Sequence, residues 1–304
     1  MHVQFDRIVP APPPAGQRLR LIIDTDFANE IDDLYAAALA LSAPDRFAIE
    51  GFVLTHFNNE NGGPGSIEKS YSLFARFMEA AGYAGKYPMK RSAPPTMYYG
   101  YPSESEGVDF IIERASAGSA EDPLWVVCLG AATNLASAIL KEPAIKPKIR
   151  YVFHARSNHT WPERSVQFNV LGDIHAARTL LKEWAPLVWF DTGTQLKISM
   201  EHGAQYIAST GPMGKFIHEY RYKHPHYQTL DKGFFDMGDI AWLIDDSICK
   251  SETVYAPAMD PHMYFNHGAQ NGKMLRVYDI DSNAAWNMLH ERLRKYGANA
   301  KTVI

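Results

Sequence analysis

Five carboxylates fall within the segment DTDFANEIDD, residues 24 to 33, directly after the apolar run LRLII. A helix cap explains one of Asp32 and Asp33, because acidic side chains in a first helical turn gain about 0.3 to 1 kcal/mol from the helix dipole. The remaining carboxylates, including Asp24 and Asp26, would repel one another without a partner. Carboxylate and carbonyl oxygens suit a hard cation, Ca²⁺ or Mg²⁺, and no His or Cys spacing indicates zinc. The segment predicts a site for such a cation rather than a solvated acidic loop.

A second chemistry is compatible with the same letters. An apolar strand that ends in DTD resembles the start of a haloacid-dehalogenase-type phosphatase, where the first Asp is the nucleophile and the second the acid or base. That alternative requires a Lys and a further acidic pair at later strand ends. The sequence offers no convincing equivalent of these motifs, and the Asp pair that opens the helix is not part of that pattern.

The composition is that of a soluble globular protein. A chain of 304 residues with 46% hydrophobic and 21% charged residues can form one large α/β domain or two smaller ones. A net charge of -4, without a long cluster of basic residues, argues against a nucleic-acid partner. The two cysteines, Cys128 and Cys249, are too few for a disulfide framework. No apolar run has the length of a signal peptide core or a membrane span, so we expect a cytoplasmic protein without a membrane partner.

The beginning of the chain differs from the rest. Four prolines, which cannot continue a helix or a central strand, lie near the end of residues 1–17: Pro10, Pro12, Pro13 and Pro14. We expect residues 1–17 to be an extended proline-rich arm, and residues 18–304 to form a single α/β domain. One alternative stays open, in which the polar, aromatic region from about 200 to 235 forms a cap of its own.

Short segments rich in β-branched or aromatic residues alternate with segments whose apolar residues recur at helical spacing. The predicted strands are residues 18–24, 47–55, 124–129, 149–154, 187–191 and 274–279. The predicted helices are residues 32–42, 65–82, 133–141, 173–184, 239–245 and 282–293. This alternation is typical of an α/β protein with an open, mostly parallel sheet and helices on both faces.

Ligands of such sheets bind outside the carboxyl ends of the strands, so the residues just after each strand are of most interest. Polar side chains collect at these points. After the acidic segment they are His56, Asn58 and Asn59, the run GAATNLASA at 130–138, Ser157, Asn158, Gln167 and Asn169. We therefore predict a ligand site at this edge of the sheet.

Five segments resemble, in the same order, the motifs of the nucleoside hydrolase family. DTDFANEIDDLYAAALAL resembles the family's DxDxxxDDAxAL, with two extra residues between the Asp pairs. The other four are LTHFNN at 54–59, LGAATNLASAI at 129–139, SVQFNVLGDIHAARTLL at 165–181 and FFDMGDIAWLIDD at 234–246. Each motif alone is weak, but five in family order make the resemblance specific. It implies the family's Rossmann-like fold and calcium-dependent cleavage of the N-glycosidic bond of a ribonucleoside.

The resemblance also implies roles for individual residues. The calcium ligands would be the side chains of Asp26, Asp33 and Asp236 and the backbone carbonyl of Thr133. The catalytic residues would be Asp26, as the base that accepts a proton from the attacking water, and Asp32, which would hold a ribose hydroxyl. The substrate contacts that the resemblance implies are Asp32, Asn59, Asn158, Gln167, Asn169 and Asp236.

Two positions depart from the family pattern. Gln167 stands where the family has Glu before Phe-Asn, and its amide can hydrogen-bond a 5′-hydroxyl but brings no charge. Phe235 stands where many members have a His that helps to protonate the leaving base. The chain must therefore use another donor, act on a base that leaves without one, or not hydrolyse nucleosides.

The segment FIHEYRYKHPHYQ, residues 216–228, offers replacements for the missing acid. In the family the corresponding region covers the base, and a Tyr or His there could stack on a purine and protonate it. Tyr222, His224 and His226 are the candidates. A surface segment whose rings pack against a neighbouring element explains the same letters equally well.

Two functions from different classes follow. The first, which we favour, is calcium-dependent hydrolysis of ribonucleosides or related N-ribosides to ribose and free base. The second is a non-catalytic relative, or one of altered specificity, that binds a ribose-like sugar through the same ion; Gln167 and Phe235 suggest it. In both cases the partner is a small-molecule nucleoside or riboside, and the family resemblance further implies a homo-oligomer.

Overall fold

The structure, a computed structural model, describes residues 7–11, 14, 16–60, 62–96, 98–156, 159–268 and 271–300, the last four as backbone only. The strands are β1 (Leu19–Thr25), β2 (Phe47–Leu54), β3 (Met89–Arg91), β4 (Leu124–Cys128), β5 (Ile149–His154), β6 (Leu187–Phe190), β7 (Cys249–Tyr255), β8 (Ala258–Met259), β9 (Phe265–Asn266) and β10 (Lys273–Ile280).

The helices lie mostly between these strands. They are α1 (Asp32–Leu41), α2 (Ser66–Ala80), α3 (Glu106–Ser116), α4 (Thr133–Lys141), α5 (Phe168–Gly172), α6 (Ile174–Lys182), α7 (Met200–Tyr206), α8 (Pro212–Lys223), α9 (Met237–Ile244) and α10 (Ser282–Ala300). Short 3₁₀ helices span Pro143–Lys148, Ala208–Thr210, Pro225–Tyr227 and Asp246–Ile248.

Eight of the strands form one sheet in the order β3-β2-β1-β4-β5-β6-β10-β7, while β8 and β9 pair separately. Neighbours in the large sheet are parallel, except that β7 runs antiparallel to β10 at the edge. From β1 the chain first builds outward through β2 and β3, and then on the other side through β4, β5 and β6. The carboxyl ends of β1 and β4 therefore border the point where the strand order reverses, which is where such sheets bind ligands.

Both faces of the sheet are covered. Leu21 and Ile23 of β1 point into one core, which α1, α2, α9 and α10 complete. Ile22, with the opposite orientation that strand alternation gives it, points into a second core with residues of α3, α4 and α6. The prediction of an open, mostly parallel sheet with helices on both faces is confirmed.

The predicted strands and helices are all present, with ends shifted by a few residues except for α10, which continues beyond 293. Several elements were not predicted. The edge strand β7 consists largely of exposed polar residues and so carries no apolar signal. Helix α3 was missed although Val108, Ile111 and Ala115 recur at helical spacing and are buried.

The region from 200 to 235 packs against the main body. Met213 and Ile217 of α8 are buried in the first core. The buried guanidinium of Arg221 donates hydrogen bonds to the carbonyls of Ile198 and Tyr227, at 2.8 Å each. These contacts tie α8 to the loop before α7 and to the segment that follows α8. No helix in the described part of the chain is both long and apolar enough to cross a membrane.

The described part of the proline-rich arm is held through Arg7. This buried guanidinium donates to the carbonyls of Leu180, Leu181, Ala185 and Asn271 at 2.8 to 3.2 Å. The arm is therefore anchored on the carboxyl end of α6 and the turn before β10. The division into an arm and a single domain stays a prediction.

Replacing Arg7 with Met should destabilise the fold, because it leaves several buried carbonyls without a donor. We expect a loss of about 2 to 4 kcal/mol, and a melting temperature lower by roughly 4 to 12 °C. Arg18→Met is the matched control, because Arg18 is exposed and, among the described residues, donates a single hydrogen bond, to the carbonyl of Phe47. Equal melting temperatures for the two variants would contradict the anchoring role of Arg7.

Candidate active site

A pocket opens at the carboxyl edge of the sheet, where the strand order reverses. Its lining comes from the loop after β1, the residue after β4, the end of β5, the start of α5 and the start of α9. The lining residues are Asp26, Asn29, Glu30, Asp32, Asp33, Leu129, His154, Arg156, Gln167, Phe168, Asn169, Phe235 and Asp236. The ligand site predicted at this edge thus corresponds to a pocket that gathers residues from five separate chain segments.

The carboxylates of Asp32, Asp33 and Asp236 form the centre of the pocket. One oxygen of each lies within 4.8 Å of the other two, and all three side chains are buried. Asp26, also buried, lines the same pocket. A second group that could hold an ion, within the same distance, combines His154, Asp236 and Asp239. Asp33 and Asp236, two of the ligands that the resemblance implies, thus lie close together; their role as ligands stays a prediction.

Burial makes this cluster electrostatically costly. It raises the pKa of Asp33 to about 8, with Asp32 as the next cause. It also raises the pKa of Asp26 and of Asp236 well above the ordinary value, and the neighbouring carboxylates add to the effect. Ionising one of these carboxyl groups makes it harder to ionise the next, because like charges repel. The pocket therefore favours a bound proton or a cation.

Nearby donors hold the carboxylates in place. Thr25 donates a short hydrogen bond to Asp33, and Asn29 donates to Asp26 at 3.0 Å. Asn134 donates at 2.8 Å to Asp24, whose second oxygen is buried without a partner in the described structure. These contacts orient oxygens but do not neutralise them.

The donor set fits a hard divalent cation. The three central groups offer carboxylate oxygens only, their oxygens lie close enough to share one ion, and burial leaves their charge poorly compensated by solvent. The cluster thus has the chemistry of a Ca²⁺ or Mg²⁺ site, as the sequence predicts.

Lys232 was not predicted, and it partly neutralises the cluster. Its buried ammonium forms a short ion pair with Glu30 and lies 3.4 Å from Asp32. Glu30 belongs to the loop that the two extra residues of the motif lengthen. The two inserted residues are the sequence feature that could have indicated a cationic partner for Glu30.

The predicted sugar contacts on α5 line the pocket. Asn169 donates its amide to the carbonyls of Leu129, at 2.7 Å, and of His154, at 3.0 Å. The Gln167 oxygen accepts from the backbone of Asn169, at 2.7 Å, and of Val170, at 3.2 Å, and so caps α5. The backbone around them fixes both side chains, and the structure shows no acceptor for the amide nitrogen of Gln167 among the residues it describes.

Three other predicted residues are placed differently. Thr133 is the first residue of α4, and its hydroxyl donates to Asp173, at 2.7 Å, and contacts His56, at 2.8 Å. Asn59 donates at 2.7 Å to Asn29, and so reaches the acidic loop through that residue. Asn158 lies outside the described residues. Thr133 and Asn59 are therefore next to the pocket lining rather than part of it.

The candidate base contacts at the end of α8 and directly after it do not line the pocket in the described structure. Tyr222 is 67% exposed. His224 contacts the carbonyl of Tyr220 at 2.7 Å, and His226 packs on the ring of Tyr227. Tyr227 itself donates at 3.1 Å to the carbonyl of Asn29 and is the residue that joins this segment to the acidic loop. A contact of Tyr222, His224 or His226 with the leaving base stays a prediction.

A buried histidine–aspartate pair was also not predicted. His154 Nδ1 lies 2.7 Å from Asp239, and burial raises the pKa of that carboxyl to about 6 despite the histidine. The other ring nitrogen, Nε2, is buried without a hydrogen-bond partner in the described structure, and His154 lines the pocket. The signal was a polar residue at the end of the predicted strand 149–154, hidden because the strand itself reads as apolar.

Phe235 carries two cations on its ring. The guanidinium carbon of Arg156 lies 4.0 Å from the ring centre, and the ammonium of Lys232 lies 4.8 Å from it. The sequence resemblance aligns this ring with a His of many family members, and here two positively charged side chains pack against it.

A family model, "Inosine-uridine preferring nucleoside hydrolase", matches residues 21–287. The chain belongs to the nucleoside hydrolase family. It is therefore a hydrolase that acts on N-glycosyl bonds, and the alternative of a haloacid-dehalogenase-type phosphatase is set aside. The five motifs that suggested the family all fall within the matched residues.

Solved nucleoside hydrolases have the same fold. A plant nucleoside hydrolase is 17% identical, with a TM-score of 0.74, over 91% of this chain and 99% of its own. A purine-preferring ribonucleoside hydrolase from Gardnerella vaginalis is 18% identical, with a TM-score of 0.71 and the same coverage. An inosine-uridine preferring nucleoside hydrolase from Bacillus anthracis is 15% identical, with a TM-score of 0.66, again over 91% and 99%. A search of curated protein sequences finds no match.

Within this nucleoside hydrolase, Gly130 allows the strand ends to approach one another. A Cβ added there would lie 2.4 Å from Thr55 and 3.0 Å from Asp26. We expect Gly130→Ala to displace Asp26 and to weaken divalent-cation binding by about 10-fold or more, as changes next to metal ligands do. Calorimetric titration with Ca²⁺ measures the effect. Gly65→Ala is the control, since no atom lies within 4 Å of its added Cβ; equal affinity in both variants would contradict the role of Gly130.

The raised pKa values give the metal-free protein a defined pH dependence. Between the ordinary carboxyl pKa of 3.8 and the folded value of about 8 for Asp33, the folded state binds more protons than the unfolded chain. Stability therefore falls as pH rises through this window. We expect the melting temperature of chelator-treated protein to fall from pH 5 to pH 8, and added Ca²⁺ to raise it more at pH 8 than at pH 5. A cation effect that is equal at both pH values would show that no proton is displaced.

Proposed function

We propose that this nucleoside hydrolase cleaves the N-glycosidic bond of ribonucleosides or a related N-riboside, with Ca²⁺ as cofactor, to give ribose and a free base. The observation that carries the proposal is the group of buried carboxylates, Asp32, Asp33 and Asp236, with Asp26 in the same lining. Burial and the neighbouring charges raise the pKa of Asp26, Asp33 and Asp236, so the cluster favours a bound cation or proton. All four carboxylates fall within residues 21–287, which the family model matches.

In this proposal Asp26, Asp33 and Asp236 hold the ion, together with the backbone carbonyl of Thr133. Calcium, when bound, would orient a water molecule and the vicinal hydroxyls of the sugar. The hydroxyl of Thr25 and the amide of Asn29 fix the oxygens of Asp33 and Asp26 that would otherwise turn away. The ligand set is thus supported by donors from the same strand and loop.

The remaining residues would bind and orient the sugar. Asp32 would accept a hydrogen bond from a ribose hydroxyl, and Gln167 and Asn169 line the same pocket. Asn59 and Asn158 are further sugar contacts that the family resemblance suggests. Because Asn169 is locked to the carbonyls of Leu129 and His154, its position would not change on binding.

The reaction breaks the bond between C1′ and the base nitrogen. The attacking water forms the new bond to C1′ and gives its proton to Asp26, while the base departs with the electron pair. Positive charge that develops on the sugar ring is stabilised by the neighbouring carboxylates. Phe235 cannot donate the proton that the base takes up, and Tyr222, His224 and His226 lie outside the lining as described. Bases that leave without a strong acid are therefore the best substrates to try first.

Three further expectations from the sequence belong to this proposal. They are a cytoplasmic location, assembly as a homo-oligomer, and the absence of a nucleic-acid partner. The alternative function, a calcium-dependent riboside-binding protein, is favoured by the same two departures, Gln167 and Phe235. Turnover distinguishes it from the hydrolase.

The test is release of reducing sugar from purine and pyrimidine nucleosides, with excess Ca²⁺ and with a chelator. We expect chelator-sensitive release, and a loss of at least about 100-fold in kcat/KM in Asp33→Asn, because one anionic ligand is removed from the ion. Asp45→Asn is the control, since that exposed carboxylate pairs only with Arg292 among the described residues. Undiminished turnover in Asp33→Asn would refute the metal-dependent hydrolase; Ca²⁺ binding without turnover would support the binding protein.

A further inference from the structure

Lys232 and Arg156 both pack on the ring of Phe235, but they differ in their ion pairs with carboxylates. Lys232 is buried and already paired with Glu30 and Asp32. Arg156 forms no ion pair with a carboxylate of the described residues, and its Nε is buried without a hydrogen-bond partner. Ring stacking, rather than a carboxylate, fixes the guanidinium. Arg156 therefore keeps donors available at the pocket.

The carboxylates nearest to Arg156 have other cations to neutralise them. Attraction to Asp32, Glu30 and Asp236 acts on Arg156 at longer range. With Lys232 on Glu30 and Asp32, and a divalent ion on Asp236 and its neighbours, those charges are engaged elsewhere. A guanidinium stays protonated under all ordinary conditions. It then lacks a counter-ion of its own within the pocket, and a ligand can supply one.

Gln167 supports the same conclusion from the neighbouring wall. Its oxygen is used by the backbone of Asn169 and Val170, which directs the amide NH₂ group away from the helix cap. A carboxylate at this position, as in the family pattern, would repel an anion, whereas the amide can donate to it. Gln in place of Glu and the guanidinium of Arg156 thus both make the pocket more favourable for an anion.

We propose that Arg156 and the amide nitrogen of Gln167 form a subsite for an anionic group, a phosphate or a carboxylate, carried by the riboside. Planar guanidinium groups bind both anions through paired hydrogen bonds. The anion is either a phosphate on the sugar or a carboxylate on the leaving base. The proposal rests on the proposed function, because it names the class of substrate for the same pocket.

Three substrates separate these sources: uridine, uridine 5′-monophosphate and orotidine, which adds a carboxylate to the base. We expect one of the anionic substrates to have a kcat/KM at least about 10-fold above that of uridine, the range of a hydrogen bond to a charged group. Preference for the monophosphate places the anion on the sugar, and preference for orotidine places it on the base. In Arg156→Met the preferred anionic substrate should lose that advantage over uridine.

Arg164→Met is the matched control. Arg164 also stacks on an aromatic ring, that of Tyr264, at 5.4 Å, but it does not line the pocket. We expect its anionic-to-neutral ratio to equal that of the unmodified protein. If Arg156→Met keeps the same ratio as this control, or if uridine is cleaved as well as both anionic substrates, the subsite is refuted.

A binding measurement distinguishes failure of the subsite from failure of the proposed hydrolysis. Calorimetry with ribose and with ribose 5-phosphate, in the presence of Ca²⁺, needs no turnover. Tighter binding of the phosphate by about 10-fold, lost in Arg156→Met, supports a phosphate subsite even if no nucleoside is hydrolysed. Orotate against uracil is the corresponding pair for a carboxylate on the base. Equal affinities within both pairs, alongside normal nucleoside hydrolysis, would overturn the subsite and leave the hydrolase in place.

Discussion

Several carboxylates are buried together at the carboxyl end of β1, and the rest of the site depends on how their repulsion is relieved. Burial is the largest cause of the raised pKa of Asp26, Asp33 and Asp236, and each carboxylate adds to the cost of the next. The donors around them, such as Thr25 and Asn29, orient oxygens without supplying positive charge. Only protons or a cation can balance the cluster, so its protonation, ion content and stability are coupled.

The fold provides this arrangement through its strand order. β1 lies between β2 and β4; the sheet continues to β3 on the β2 side and to β5 and β6 on the β4 side. Asp26 follows β1 directly, while Asp236 is delivered by the loop before α9, about 200 residues later in the chain. Gly130, after β4, lies close enough to Asp26 that a side chain would not fit. A rigid, doubly covered sheet keeps the carboxylates together although they repel one another.

The sequence predicted the parts of this site that follow strong local patterns. Apolar strands, amphipathic helices and an acidic segment after a strand located the pocket and its carboxylates. Lys232 could not be found in this way, because its partner Glu30 is 202 residues away and nothing local marks either as buried. His154 and Asp239 meet only through the sheet, and His154 sits at the end of an apolar strand. The segment 216–228 was rich in rings, but ring content does not tell which ring faces a pocket.

The departures from the family pattern lie together rather than scattered. Phe235 carries Arg156 and Lys232 on its ring, Lys232 pairs with the Glu30 of the lengthened loop, and Gln167 shares the pocket lining with Arg156. Phe235 by itself would place an apolar ring where many family members have a His. Glu30 by itself would add to the repulsion among the carboxylates. These changed positions are therefore connected by contacts and belong to one part of the pocket. The carboxylates of Asp32, Asp33 and Asp236 lie in the same pocket, so the charges that could hold an ion and the changed residues line one volume.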